Sequence, residues 1–147
     1  MKTTILTFAV LAAAFFSVQT NVIAQKKEKD KFLANKAYTI DLMETGAKKP
    51  KAESDEVTFK GDKLNSKFMS TEYKFSGAAY TVTVDSSSGS KEFTFSCLSK
   101  NPDGEELKWD GTITDDAVEG TAVISKKGKT KKEYSFSGTL KAKPGKK

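Results

Sequence analysis

Neither histidine nor arginine occurs anywhere in the 147 residues, so all 25 basic side chains are lysines. Without histidine there is no Ser/His/Asp set, no Cys/His pair and no imidazole acid or base near neutral pH. A lone cysteine, Cys97, rules out an internal disulfide and any zinc site of the Cys/His type. Without arginine, the planar fork that grips phosphate and carboxylate is missing, and phosphate recognition falls to lysine point charges. Long apolar runs are also scarce. The one uncharged apolar stretch, Ile5 to Val18, is about 14 residues, short of the roughly 20 that a spanning helix needs.

That stretch sits where a secretory signal would. Lys2 gives a positive start, the apolar run follows, and Val22-Ile23-Ala24 places compact residues before Gln25, so residues 1–24 are expected to be a cleaved signal peptide. The alternatives are an uncleaved anchor or a buried helix. Cleavage is preferred because the charged run Lys26 to Lys31 follows at once. The protein is thus expected to be exported, to the periplasm or beyond, with no transmembrane segment in its mature form. Residues 25–35 read as a charged linker, 36–141 as one domain, and 142–147 as a lysine-rich flexible tail.

From Lys36 the chain alternates with a period of two, the signature of half-buried strands. Tyr38, Ile40 and Leu42 form one inward row, and Glu44 to Ser54 reads as a loop. Val57 and Phe59 run into a Gly61-Asp62 turn, from which Leu64, Ser66 and Phe68 return. Ser70 to Gly77 is left between a loop and one helical turn. Tyr80, Val82 and Val84 come next, then a turn at Ser86 to Ser90, then Phe93, Phe95 and Cys97. Asn101-Pro102-Asp103-Gly104 is a strong turn. Three more rows follow: Leu107, Trp109, Gly111 and Ile113; Val118, Gly120, Ala122 and Ile124; Tyr134, Phe136, Gly138 and Leu140. About eight short strands at turn spacings of 8–12 residues predict an all-β fold, an antiparallel up-and-down barrel of the lipocalin or calycin kind. Its outward rows of Thr, Asp, Ser and Lys do not fit a lipid-facing band.

Three features are candidates for chemistry. Gly111, Gly120 and Gly138 share the inward parity with Tyr38, Tyr80, Phe95, Trp109, Tyr134 and Phe136. Together these nine are the candidate lining of an interior cavity for an apolar or amphipathic ligand; alternatively the glycines mark bends where strands coil sharply. Lysines gather at turns, Lys48, Lys49 and Lys51 and then Lys126, Lys127, Lys129, Lys131 and Lys132. These suit an anionic surface, or else plain solvation and edge protection. The acidic pairs Asp55-Glu56, Glu105-Glu106 and Asp115-Asp116 read as turn chemistry, since strand neighbours face opposite ways and cannot converge. Nucleic acid is not an expected partner, because the aromatics lie on the inward parity and offer no stacking platform. No cofactor, metal site or catalytic residue is expected.

The signal segment, the first strand Tyr38-Thr39-Ile40-Asp41, Val57-Thr58-Phe59-Lys60-Gly61, Trp109-Asp110-Gly111-Thr112-Ile113 and the closing Phe136-Ser137-Gly138-Thr139-Leu140 resemble small exported calycin-like barrels from Bacteroidetes. The layout is also similar to the polyisoprenoid-binding YceI family, which implies a lipocalin-like eight-stranded barrel with an apolar ligand. That family carries a His-Ser pair after the first strand, and this chain has no histidine, so no ligand residues carry over. The expectation is a non-enzymatic exported protein holding a small apolar or amphipathic ligand. The alternative is an envelope interaction protein whose filled barrel binds a protein or polysaccharide, as an inhibitor for example.

Overall fold

The computed structural model describes residues 32–85 and 91–142. The expected signal segment, most of the charged linker, the turn at 86–90 and nearly all of the lysine-rich tail lie outside the described residues.

Eight strands follow one another: β1 (Lys36–Glu44), β2 (Ala52–Lys60), β3 (Lys63–Ser66), β4 (Ala78–Asp85), β5 (Glu92–Lys100), β6 (Glu105–Thr114), β7 (Ala117–Lys126) and β8 (Lys129–Leu140). Each pairs antiparallel with the next, and β8 pairs with β1 from Tyr38↔Leu140 to Glu44↔Tyr134, closing the barrel. Closure leaves no long unpaired edge. The tight turns are set locally: Gly61-Asp62 and Lys127-Gly128 each place two successive residues at positive φ, the geometry that matches the twist of a two-residue hairpin. Asn101 holds the β5–β6 turn, with its side-chain oxygen accepting from the Glu105 N–H at 2.9 Å.

Alternation puts Tyr38, Ile40, Leu42, Val57, Phe59, Phe95, Cys97, Trp109, Ile113 and Phe136 in one buried core. Phe59 is its hub. Its ring meets Tyr38, Tyr80 and Phe95 nearly edge-on at 6.0, 4.9 and 5.2 Å between centroids. Such edge-to-face contacts add to the area buried.

Three sequence expectations need correction. The returning strand stops at Ser66, and Phe68 lies in a short helix, α1 (Lys67–Tyr73). Ser66 sets that start: in extended conformation, its hydroxyl accepts from the Met69 N–H at 3.0 Å, an N-cap. The loop after β1 is also shorter than read, since β2 already begins at Ala52. Finally, of the three acidic pairs only Asp115-Asp116 falls in a turn; Glu105-Glu106 opens β6, and Asp55-Glu56 sits within β2. Asp55 points inward and is buried, accepting from the Ser66 hydroxyl at 2.5 Å and from the Phe68 and Glu56 N–H groups at 2.8 and 2.7 Å. Its carboxylate takes up donors that the helix start would otherwise leave unmatched. Glu56 points outward and pairs with Lys141.

Both ends of the barrel are stoppered. At the end where β1 begins, Leu33 is fully buried, and the Asn35 N–H donates to the Phe59 carbonyl at 2.7 Å. At the other end α1 buries Met69, and Phe75 packs behind it. Asp55→Ala is expected to destabilise the fold by about 3 kcal/mol, since it strands a buried hydroxyl and a helix N–H; urea unfolding measures this, and an unchanged midpoint would refute the role given to Asp55.

Candidate binding surfaces

The nine residues expected to line an interior cavity are brought together by the fold, but as packing partners. Tyr38, Tyr80, Phe95, Trp109, Tyr134 and Phe136 are all buried. Of the glycines, Gly111 is buried while Gly120 and Gly138 are half-buried. The room their missing side chains vacate is occupied. A Cβ on Gly111 would sit 2.5 Å from the Phe95 ring and 2.9 Å from that of Phe136. On Gly120 it would lie 2.2 Å from the Asp110 carbonyl oxygen, 2.6 Å from the Gly111 Cα and 2.7 Å from the Phe136 ring. On Gly138 it would meet the Thr39 carbonyl oxygen at 2.0 Å. The glycines are therefore places of close approach, where β6, β7, β8 and β1 coil tightly and an aromatic ring slides into the gap. Phe136 completes a chain of rings, 6.4 Å from Phe95 and 5.2 Å from Trp109.

One polar atom in this core is unmatched. The Tyr38 hydroxyl has no hydrogen-bond partner among the described residues, although the residue is fully buried. Burial, and then the nearby charge of Asp116, push its pKa up to about 12. The Cys97 thiol, buried beside the Ala78 carbonyl at 3.4 Å, is likewise pushed up to about 11 by desolvation, the opposite of an activated nucleophile.

Over these glycines the outer face dips into a depression of about 690 Å³. Two adjacent cross-strand rows line it. In one, Thr94, Thr112, Glu119, Ser137 and Asp41 stand side by side across β5, β6, β7, β8 and β1. In the next, Asp110, Thr121, Ser135, Met43 and Ala52 do the same across β6, β7, β8, β1 and β2. Gly111, Gly120 and Phe136 complete the lining. None of the lining residues is basic, and Lys108, next along β6, is tied to Asp110 at 2.9 Å.

The lysine-rich turns occupy the helix-capped end. Lys48, Lys49 and Lys51 lie on the loop from β1 to β2, and Lys126, Lys127 and Lys129 on the β7–β8 hairpin. Barrel closure makes the two neighbours: the Thr45 N–H, where the loop leaves β1, donates to the Glu133 carbonyl of β8 at 2.7 Å. Some lysines are already engaged, Lys51 with Glu53, Lys131 with Glu105 and Lys132 with Glu44. Lys132 also lies over the rings of Tyr73 and Tyr134, whose hydroxyls are 2.6 Å apart, and its hydrogen bond to Glu44 raises its pKa. It ties α1, β8 and β1 together. Hydrogen bonds from Asn101 and Lys131 hold the Glu105 carboxyl below its usual range. Lys48, Lys49, Lys126, Lys127 and Lys129 make no ion pair among the described residues.

Sequence parity locates the buried rows but not Leu33 or the inward Asp55, and the helical turn it allows at Ser70 to Gly77 is α1, which begins three residues earlier at Lys67. Leu33 sits between Phe32 and Ala34 in a charged segment without a strand pattern, whereas Ser66 three residues before Met69 is a readable N-cap signal. The depression was also missed, because it arises from which strands lie next to each other.

Gly120→Ala is expected to cost roughly 3 kcal/mol, because the obstacle is backbone of β6 and cannot rotate away; a thermal melt within a degree of wild type would exclude the close approach. Tyr38→Phe removes an unmatched buried hydroxyl and is expected to stabilise by about 1 kcal/mol. The raised pKa of Tyr38 means that its contribution is fully present below pH 10 and is lost as pH rises towards 12, so the phenylalanine variant should also survive more alkaline solution. Urea titrations at pH 7 and 11 check both statements. No family model, curated protein or solved structure matches this chain.

Proposed function

We propose that this chain is an exported, non-enzymatic binding protein whose barrel is a filled scaffold and whose recognition takes place on its outside. The observation that carries this reading is the seating of the Phe95 and Phe136 rings against Gly111 and Gly120, which takes up the room an interior ligand would need. The stoppers at the two ends, Leu33 and α1, favour the same conclusion. A hollow lipocalin-like interior, the reading that the glycine and aromatic rows first suggest, would require those rings to move. The non-enzymatic character rests on the chemistry of the reactive groups. The Cys97 thiol is buried with a raised pKa, and the Asp55 carboxylate is engaged by three donors. Export rests on the apolar run Ile5 to Val18 and the Val22-Ile23-Ala24 site.

The lysine rim supports an anionic surface as one partner. Closure of β8 onto β1 merges two lysine groups some eighty residues apart in sequence, and five of these lysines are free of ion pairs among the described residues. Each lysine near an anionic membrane contributes about 1 kcal/mol, and the attraction fades with salt. The purified protein is expected to co-sediment with phosphatidylglycerol vesicles at low salt and to be released by about 0.5 M NaCl. Lys48→Glu combined with Lys129→Glu should weaken binding about tenfold or more. Equal binding to zwitterionic vesicles, or indifference to salt, would count against the rim. A stoichiometric shift of Trp109 fluorescence on adding fatty acid or polyprenol would overturn the filled-scaffold reading itself.

A further inference from the structure

We propose that the depression over Gly111 and Gly120 is a binding groove for a polysaccharide strand without acidic groups. The inference rests on the reading that recognition occurs on the outside of the barrel.

Asp41, Asp110 and Glu119 all line this depression, which has no basic residue in its lining, on a chain whose net charge is +6. Lys108 is already spent on Asp110. An acidic polymer is repelled there and drawn to the lysine rim instead, so the two surfaces sort partners by charge.

The distribution of polar and apolar groups also suits a sugar. A hexose presents C–H groups on its ring faces and hydroxyls around its edge. The depression mirrors this, with glycine backbone and the exposed Met43 and Ala52 among its lining and Thr, Ser, Asp and Glu in rows across it. Hydroxyls both donate and accept, while ionised carboxylates accept from two adjacent sugar hydroxyls at once.

Spacing and rigidity suit a chain of sugars as well. Neighbours within a row sit on adjacent strands, about 4.8 Å apart, a step comparable with one hexose unit, so five strands present a regular track. These side chains are carried by paired strands in register and not by loops, so little ordering is lost on binding.

Affinity electrophoresis of the purified protein in gels containing mannan, xyloglucan or dextran, with alginate and dextran sulfate as acidic counterparts at 0.3 M NaCl, tests the proposal. At least one neutral polymer is expected to retard the wild type, whereas the acidic ones are not expected to retard the Lys48→Glu, Lys129→Glu variant, whose rim is weakened. Glu119→Lys and Ser137→Lys, both at exposed positions, should each weaken that retardation at least tenfold while melting close to wild type. Lys48→Glu with Lys129→Glu should leave it unchanged. Retardation by no neutral polymer overturns the groove, as does retardation that survives both variants. If vesicle binding at the rim persists in that case, recognition on the outside stands and only the groove falls. If lipid enters the interior and neither surface binds, the parent reading falls with it.

Discussion

The close approach of β6 and β7 at Gly111 and Gly120 governs both what the barrel contains and what it displays. Without a Cβ at either position the two strands coil against each other, and the Phe136 ring fills the recess they leave inside. The same coiling lets the outer face dip into the depression. A barrel of eight strands is just wide enough to be either filled or hollow, and here the Phe95 and Phe136 rings take up the room beside Gly111 and Gly120. Interior and exterior are thus two sides of one constraint, and no change at Gly120 alters one without the other.

Closure is the second organising fact. The β1–β8 pairing sets Asp41 beside Ser137 and Met43 beside Ser135, so each outer row crosses the point where the chain's two halves meet. It also brings the Lys48 loop alongside the hairpin carrying Lys129. Neither assembly exists within any local stretch of chain, and both need the whole ring of strands.

This explains which parts of the molecule were legible in one dimension. Parity alone places Tyr38, Phe59, Phe95 and Trp109 inside, because a strand has one rotational setting and two faces. Turn chemistry places Gly61-Asp62, Asn101–Gly104 and Lys127-Gly128. Parity fails where the pattern is cut short. Phe68 keeps the alternation of β3, yet the Ser66 cap and the Asp55 carboxylate start a helix there. Leu33 has no periodic neighbours, and only the finished barrel offers it a hole. The inward glycines were visible as a set, but whether they open a cavity or admit a ring depends on distances between strands, which no spacing along the chain encodes.

The ring of strands is unevenly sewn. β3 and β4 share only the pairs Lys63↔Ala79 and Leu64↔Ala78 before α1 takes over from β3, whereas β5 and β6 are in register from Glu92↔Thr114 to Lys100↔Glu106. The lone thiol lies on the strand next to this thin join, its sulfur against the Ala78 carbonyl. Parting β3 from β4 would break fewer backbone pairs than parting any other two neighbours, so if the barrel opens there, thiol labelling of Cys97 would read that opening.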